Sequence, residues 1–267
     1  MILKLFKNEI IKILHSKNLY ILMGFLIFMI AAICYLINLE TGHIMNNTPI
    51  TRKYSSQLKV EILNMNSVIF LKQFSTEFIF RTVVPYFAFF MTVFSVGIFG
   101  EDFFSGNMKY FARLTTDHVD VFRAKALSII FYSALVVILT LILGFTISAF
   151  VFKLSFDGLG RIVLIYLSAV IPVASFGLII GIISLFFKNT TISIAIGIVS
   201  SIFLTVSDRL TITSNFSPIG VLGLMDKFRA DNISLISLLT ANAVSIVYLT
   251  SAYFIGKKLF KNRQFNF

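Results

Sequence analysis

The chain alternates between long uncharged apolar stretches and short segments in which charge collects. A helix needs about 20 apolar residues to cross the hydrocarbon core of a bilayer. Six stretches reach or approach that length: Leu19–Ile37, Thr82–Phe99, Ala126–Phe152, Ile162–Phe187, Asn189–Ser207 and Asn232–Gly256. None of them contains Asp, Glu, Lys, Arg or His. The pattern predicts an all-α integral membrane protein of six spans forming a single transmembrane domain. Phe187 and Asn189 leave only Lys188 between spans four and five, so a tight turn is expected there. The first stretch is too long for a signal peptide and lacks a small-x-small cleavage site after it.

The segments outside the stretches carry distinct patterns. Over residues 2–17, Leu3, Phe6, Ile10, Ile13 and Leu14 share one helical face while Lys4, Asn8, Lys12 and His15 lie on another. This predicts an amphipathic entry helix, residues 1–18, lying in the membrane interface; a plain basic anchor that only sets topology is the alternative. Residues 38–81 form a polar loop with a helical pattern over Gln57–Asn64. Residues 208–231 hold an apolar run too short to span, broken at Pro218 and Gly220, as expected of short interfacial or re-entrant helices. Residues 257–267 are a basic tail. If the spans alternate, Lys4, Lys7, Lys12, Lys17, Lys257, Lys258 and Lys261 fall on one side. Basic residues beside spans mark the cytoplasmic face, so both termini are expected to be cytoplasmic and loops 38–81 and 208–231 external.

Composition agrees with lipid as the solvent. The chain is 57% hydrophobic and 13% charged with a mean hydropathy of +0.91, against about 45–50% and about 25% for soluble domains. The net charge of +11 does not point to nucleic acid, because the basic residues flank apolar stretches and so read as orientation signals and contacts to anionic lipid. The frequent Ile, Phe, Lys and Asn fit an AT-rich bacterial genome, and hence a bacterial cell membrane. Cys34 is the only cysteine, which excludes an intramolecular disulfide and reads as packing. No phosphate-binding Gly-x-x-x-x-Gly-Lys-Ser/Thr loop is present, nor any metal-ligand spacing among His15, His43 and His118. No bound cofactor or metal and no catalysis are expected of the chain. Uncharged spans also argue against ion-coupled transport, in which the carried charge needs a partner at membrane depth.

The segment 100–125, between spans two and three, is the most informative. Glu101, Asp102, Lys109, Arg113 and later charges interleave with Met108, Phe111, Leu114, Val119 and Phe122. A solvated loop would account for it; so would a charge-balanced amphipathic hairpin docking a soluble partner. The order of parts along the whole chain resembles the permease subunits of ABC-2-type transporters. In that family the segment runs from an acid to Gly, to Lys three residues later, through a Pro–x–Ser–Arg turn, to Lys entering span three. Glu101, Gly106, Lys109 and Lys125 match; Thr115 replaces the proline, and His118 stands roughly at the basic position.

The resemblance implies two permease chains, homodimeric or heterodimeric, each resting a coupling helix on a separate ATPase subunit that holds ATP and magnesium. It assigns ATPase coupling to Glu101, Gly106, Lys109, Tyr110, Phe111, Arg113, Leu114, His118 and Phe122. Glu101 would act as a latch toward Lys109 or Arg123, and Pro85 and the Gly177–Gly181 spacing as places of bending or close packing. Peptide export or self-protection against antimicrobial peptides is the expected activity, with drug, lipid or polysaccharide export as alternatives. A non-transporting membrane scaffold or sensor subunit is the rival class.

Overall fold

A computed structural model describes residues 2–46, 56–72, 86–101, 118–187, 189–207 and 235–262. Among these residues the regular structure is entirely helical, apart from one isolated bridge between Asn66 and Lys153. The helices are α1 (Ile2–Leu14), α2 (Lys17–Met45), α3 (Ser56–Leu63), α4 (Ser67–Phe70), α5 (Tyr86–Val96), α6 (His118–Val151), α7 (Leu159–Ser168), α8 (Val170–Ser184), α9 (Thr190–Ser207) and α10 (Leu235–Asn262). A π-helical turn, Gly97–Glu101, continues α5. Three helical runs are long and apolar enough to cross a membrane: Lys17–Met45, His118–Val151 and Leu159–Ser184. Tyr86–Gly100 and Thr190–Val206 are apolar but shorter.

Local chemistry explains several boundaries. Between α1 and α2 the chain turns at Ser16, whose backbone is extended and whose Oγ accepts from the Leu19 N–H at 3.3 Å. That cap satisfies one of the orphan donors of a helix start. The fourth expected stretch is interrupted at Ala169, three residues before Pro172, whose ring nitrogen cannot donate to the carbonyl of Ser168. α6 begins at His118, eight residues before the uncharged stretch that predicted it. Its first two turns carry Asp120 and Arg123, paired at 2.9 Å. The expected coupling segment 100–125 is therefore helical at both described edges, and only residues 102–117 separate α5 with its π turn from α6.

The core is built around α8, which packs on α5, α6 and α10. Small residues let these helices approach closely. A Cβ added at Gly177 would lie 2.5 Å from Met91 Cε, and one at Gly181 2.5 Å from Phe99 Cδ2. Gly197 of α9 sits as tightly on Thr92 of α5, and Gly256 of α10 on Phe122 of α6. The close packing expected at Gly177 and Gly181 is thus present, against α5 and its π turn. Large apolar side chains point outward, including Phe28, Phe150, Phe203 and Phe254, each more than 60% exposed. Exposed apolar surface around an apolar core is what lipid permits and water does not.

α1 packs along one edge of its amphipathic face. It lies on α6 through Glu9 and Ile13, both buried, and through Phe6, whose ring meets Phe131 edge-on at 6.3 Å. Leu3 and Leu14, assigned to the apolar face, are 78% and 42% exposed. At the far end, residues 64–72 are clamped onto α6 and α7. Ser67 Oγ donates to the Ser155 carbonyl at 3.1 Å, the Ser67 N–H donates to the Lys153 carbonyl, and the Tyr166 hydroxyl donates to the Leu71 carbonyl at 3.2 Å. Phe70 and Leu71 are fully buried there.

The glycine seam gives a direct test. Gly181→Val pushes a branched side chain into a Phe99 ring already held by Phe122 and Phe260, and is expected to cost about 1–3 kcal/mol. Gly24→Ala, with nothing within 4 Å, should be neutral or gain up to about 1 kcal/mol of helix propensity. Thermal unfolding of the detergent-solubilised variants, followed by size-exclusion chromatography, measures both.

Candidate functional site

Lys125 belongs to the last charged turn of α6 before the uncharged run, and its side chain is only 1% exposed. Its Nζ donates to the Ile98 carbonyl at 2.5 Å and lies 3.6 Å from Glu9 Oε1. Glu9, 5% exposed, is also 3.3 Å from Lys12 Nζ, on the next turn of α1. Taking one carboxylate or ammonium out of water costs several kcal/mol, so such charges persist only when paired and hydrogen-bonded. The node thus ties together three elements: α1 through Glu9, the π turn after α5 through Ile98, and α6 through Lys125. π turns depart from the regular i→i+4 ladder and occur frequently at functional sites.

Beside the node is an aromatic cluster. Phe122, one turn before Lys125, is fully buried, with ring centroids of Phe260, Tyr253 and Phe99 at 5.2, 5.5 and 5.9 Å. Gly256 leaves the space that the Phe122 ring occupies. Phe99 comes from the π turn, and Tyr253 and Phe260 from α10. The start of α6 therefore meets the entry helix on one side and the last helix on another. Movement of the α6 head would be felt by α1, the end of α5 and α10 together, because close-packed interiors transmit displacement.

The residues singled out from the sequence are distributed unevenly. Glu101 ends the π turn, while Gly106, Lys109, Tyr110, Phe111, Arg113 and Leu114 lie outside the described residues. His118 opens α6 and is half-buried. Phe122 does not present a face for docking: its ring is turned into the bundle, so any part it plays in coupling is exerted through its aromatic neighbours. Arg123, one of the two partners expected for Glu101, pairs with Asp120 three residues before it. Lys4, Lys7, Lys12, Lys17, Lys258 and Lys261 are exposed and Lys257 is half-buried. No group of three or more His, Cys, Asp or Glu capable of holding a metal occurs among the described residues.

Glu9 was missed by the sequence reading although it left a signal. It is the only acid of α1, and it falls between Phe6 and Ile13 on the face that packs. Lys125 was placed in a motif without a partner. Comparison with known protein families and with characterised proteins finds no match to the chain.

Breaking the node from one side takes a carboxylate away from a buried ammonium. Glu9→Leu is expected to destabilise on the order of 3 kcal/mol, whereas Glu9→Leu combined with Lys125→Met should recover part of that loss. A double-mutant cycle on thermal stability measures the difference. Additive losses would mean that the two groups do not act on each other.

Proposed function

We propose that the chain is the membrane-spanning permease subunit of an ATP-driven exporter of the ABC-2 type, powered by a separate ATPase subunit and paired with a second permease chain. In this reading the protein has six spans with both termini cytoplasmic, in a bacterial cell membrane. Its cargo is an amphipathic or antimicrobial peptide, moved out of the cell or out of the membrane. The chain itself binds no nucleotide.

One observation carries the reading. The Glu9–Lys125–Ile98 node fastens the entry helix to the two helices from which residues 102–117 emerge. A partner pressing on that segment would act on three elements at once. The ion pair and its carbonyl contact make a short, stiff link between the segment and α1. The Phe99–Phe122–Phe260 contacts carry the displacement on to α10, and the Gly181–Phe99 contact carries it to α8. A scaffold needs no such convergence of helix ends. Exposed Lys4, Lys7 and Lys17 would keep α1 at an anionic leaflet while it shifts, each basic residue contributing about 1 kcal/mol of attraction there.

The reading is tested by affinity purification of the tagged chain from native membranes with mass spectrometry of its companions. A soluble ATPase is expected to co-purify, and to be lost on charge reversal of both Lys109 and Arg113. Recovery of the chain with no ATPase, or an ATPase indifferent to that double reversal, would sink the proposal.

A further inference from the structure

The short connector between α6 and α7, residues 152–158, leaves large apolar side chains in the open. Leu154 and Phe156 are 51% and 64% exposed, and Phe150, just before the connector, is 92% exposed. Apolar exposure of this kind marks a surface that meets another phase or a partner. The main chain of the connector is nevertheless held firmly. The Ser67 N–H donates to the Lys153 carbonyl, and Ser67 Oγ both donates to the Ser155 carbonyl and accepts from the Ser155 N–H, all at 3.1 Å. Ser67 is fully buried, and Asn66 Oδ1 fixes the start of α4 by accepting from the N–H groups of Val68 and Ile69. The Phe152 ring lies 6.0 Å from that of Phe70. At the other end the Phe156 carbonyl accepts from the Leu159 N–H, and Gly158 turns into α7 with a φ of 77°.

Helix length sets the depth of this connector. The paired Asp120 and Arg123 mark the level at which α6 leaves the head groups on the side of α1. At about 1.5 Å per residue, Phe145 lies about 33 Å further along the helix and Phe150 about 40 Å. The hydrocarbon core is about 30 Å thick, and the bilayer about 40–45 Å with its head groups. A tilt of about 20° shortens these distances by less than a tenth. Phe145 therefore reaches the far edge of the hydrocarbon, and α6 ends among the head groups of the leaflet remote from α1. Phe156 does not continue outward from there. Its ring lies 5.8 Å from that of Phe145, so the connector folds back beside the last turns of α6 and returns an exposed ring to the hydrocarbon edge.

We propose that residues 152–158 form a preformed lipid wedge. Leu154 and Phe156 enter the acyl boundary of the leaflet remote from α1, and Lys153 and Arg161 lie at the level of the phospholipid phosphates. Both basic residues are exposed and outnumber Asp157, the acid between them. Apolar side chains flanked by basic ones are the composition that binds an anionic bilayer interface. The main-chain bonds to Ser67 give the wedge its shape before lipid arrives, so little ordering is needed on contact. The wedge requires neither a transported cargo nor a partner ATPase, and it holds whichever face of the membrane α1 occupies.

The chain contains no tryptophan, so Phe156→Trp is a unique fluorescent reporter in the full chain, with Leu154→Trp as a second. Phe28→Trp, at an exposed position within α2, is the control for the middle of the bilayer. Each variant is reconstituted into phosphatidylcholine vesicles carrying lipids brominated either near the head group or near the chain end. Tryptophans at positions 154 and 156 are expected to be quenched severalfold more by the shallow bromine than by the deep one, with the reverse order at position 28. Aqueous iodide should leave both connector reporters largely unquenched. A trace of shallow-brominated phosphatidylglycerol should quench the tryptophan at position 156 severalfold more than the same trace of brominated phosphatidylcholine, and Lys153→Glu should abolish that excess. Ser67→Ala should raise iodide quenching and lower quenching by the shallow bromine, since the connector is no longer held. Quenching by iodide but not by brominated lipid would overturn the wedge. So would quenching by neither, which means that a second copy or another protein covers the surface. Equal quenching by the two brominated head groups would overturn the assignment of Lys153.

Discussion

A lysine ammonium almost wholly removed from solvent at the head of a long apolar helix is the constraint from which the rest of the architecture follows. Lys125 is held by the Ile98 carbonyl and Glu9, and without such partners its burial would be untenable. Because the charge cannot be left alone, α1 must lie on α6, and the end of α5 must open its helix enough to offer a carbonyl. The direction in which the chain enters the bundle at Ser16 is fixed by the same requirement. An exposed basic residue at that position would have left the entry helix free to drift along the membrane surface.

From that node the packing spreads through rings and glycines. Phe122 fills the space left by Gly256, Phe99 lies across Gly181, and Met91 and Thr92 close on Gly177 and Gly197. Apolar contact between helices gives little net driving force in lipid, since the alternative contact is equally apolar. Close backbone approach, stacked rings and a few buried polar links then decide which helices stay together. The far end is secured differently, by Ser67, Ser155, Tyr166 and Leu71 binding one another through main-chain groups. One end of the bundle is thus fastened by charge and aromatic contact and the other by neutral hydrogen bonds, with a glycine seam between them.

The helical character of the chain was legible because uncharged runs longer than a bilayer core leave few alternatives. The boundaries were less so. Counting uncharged residues starts the third long helix at Ala126, yet α6 begins at His118, since Asp120 and Arg123 satisfy each other on its surface and Lys125 finds Glu9. That last pair joins residues more than a hundred positions apart, and no local pattern reveals such a distance. The buried face of α1 was legible only in part: Phe6 and Ile13 turn onto α6 as the pattern places them, but Glu9 beside them was not seen. Glu9 borders the apolar face of the wheel beside Ile13, and its partner on α6 holds it inward while Leu3 and Leu14 stay outside. The break at Ala169 was signalled by Pro172. The π turn at Gly97–Glu101 had no sequence mark beyond its glycines. Gly177 and Gly181 were legible as close-packing positions, though not the Met91 and Phe99 side chains set against them.

The most direct measurement is hydrogen–deuterium exchange of the solubilised chain, wild type against Glu9→Gln, read over residues 2–14. If the buried pair fastens the entry helix, the amides of α1 beyond its first turn are protected in the wild type to the degree of the first turns of α6. In Glu9→Gln that protection falls while α7 to α9 stay unchanged. Amides of α1 that exchange freely in the wild type, or that keep their full protection in Glu9→Gln, would contradict it.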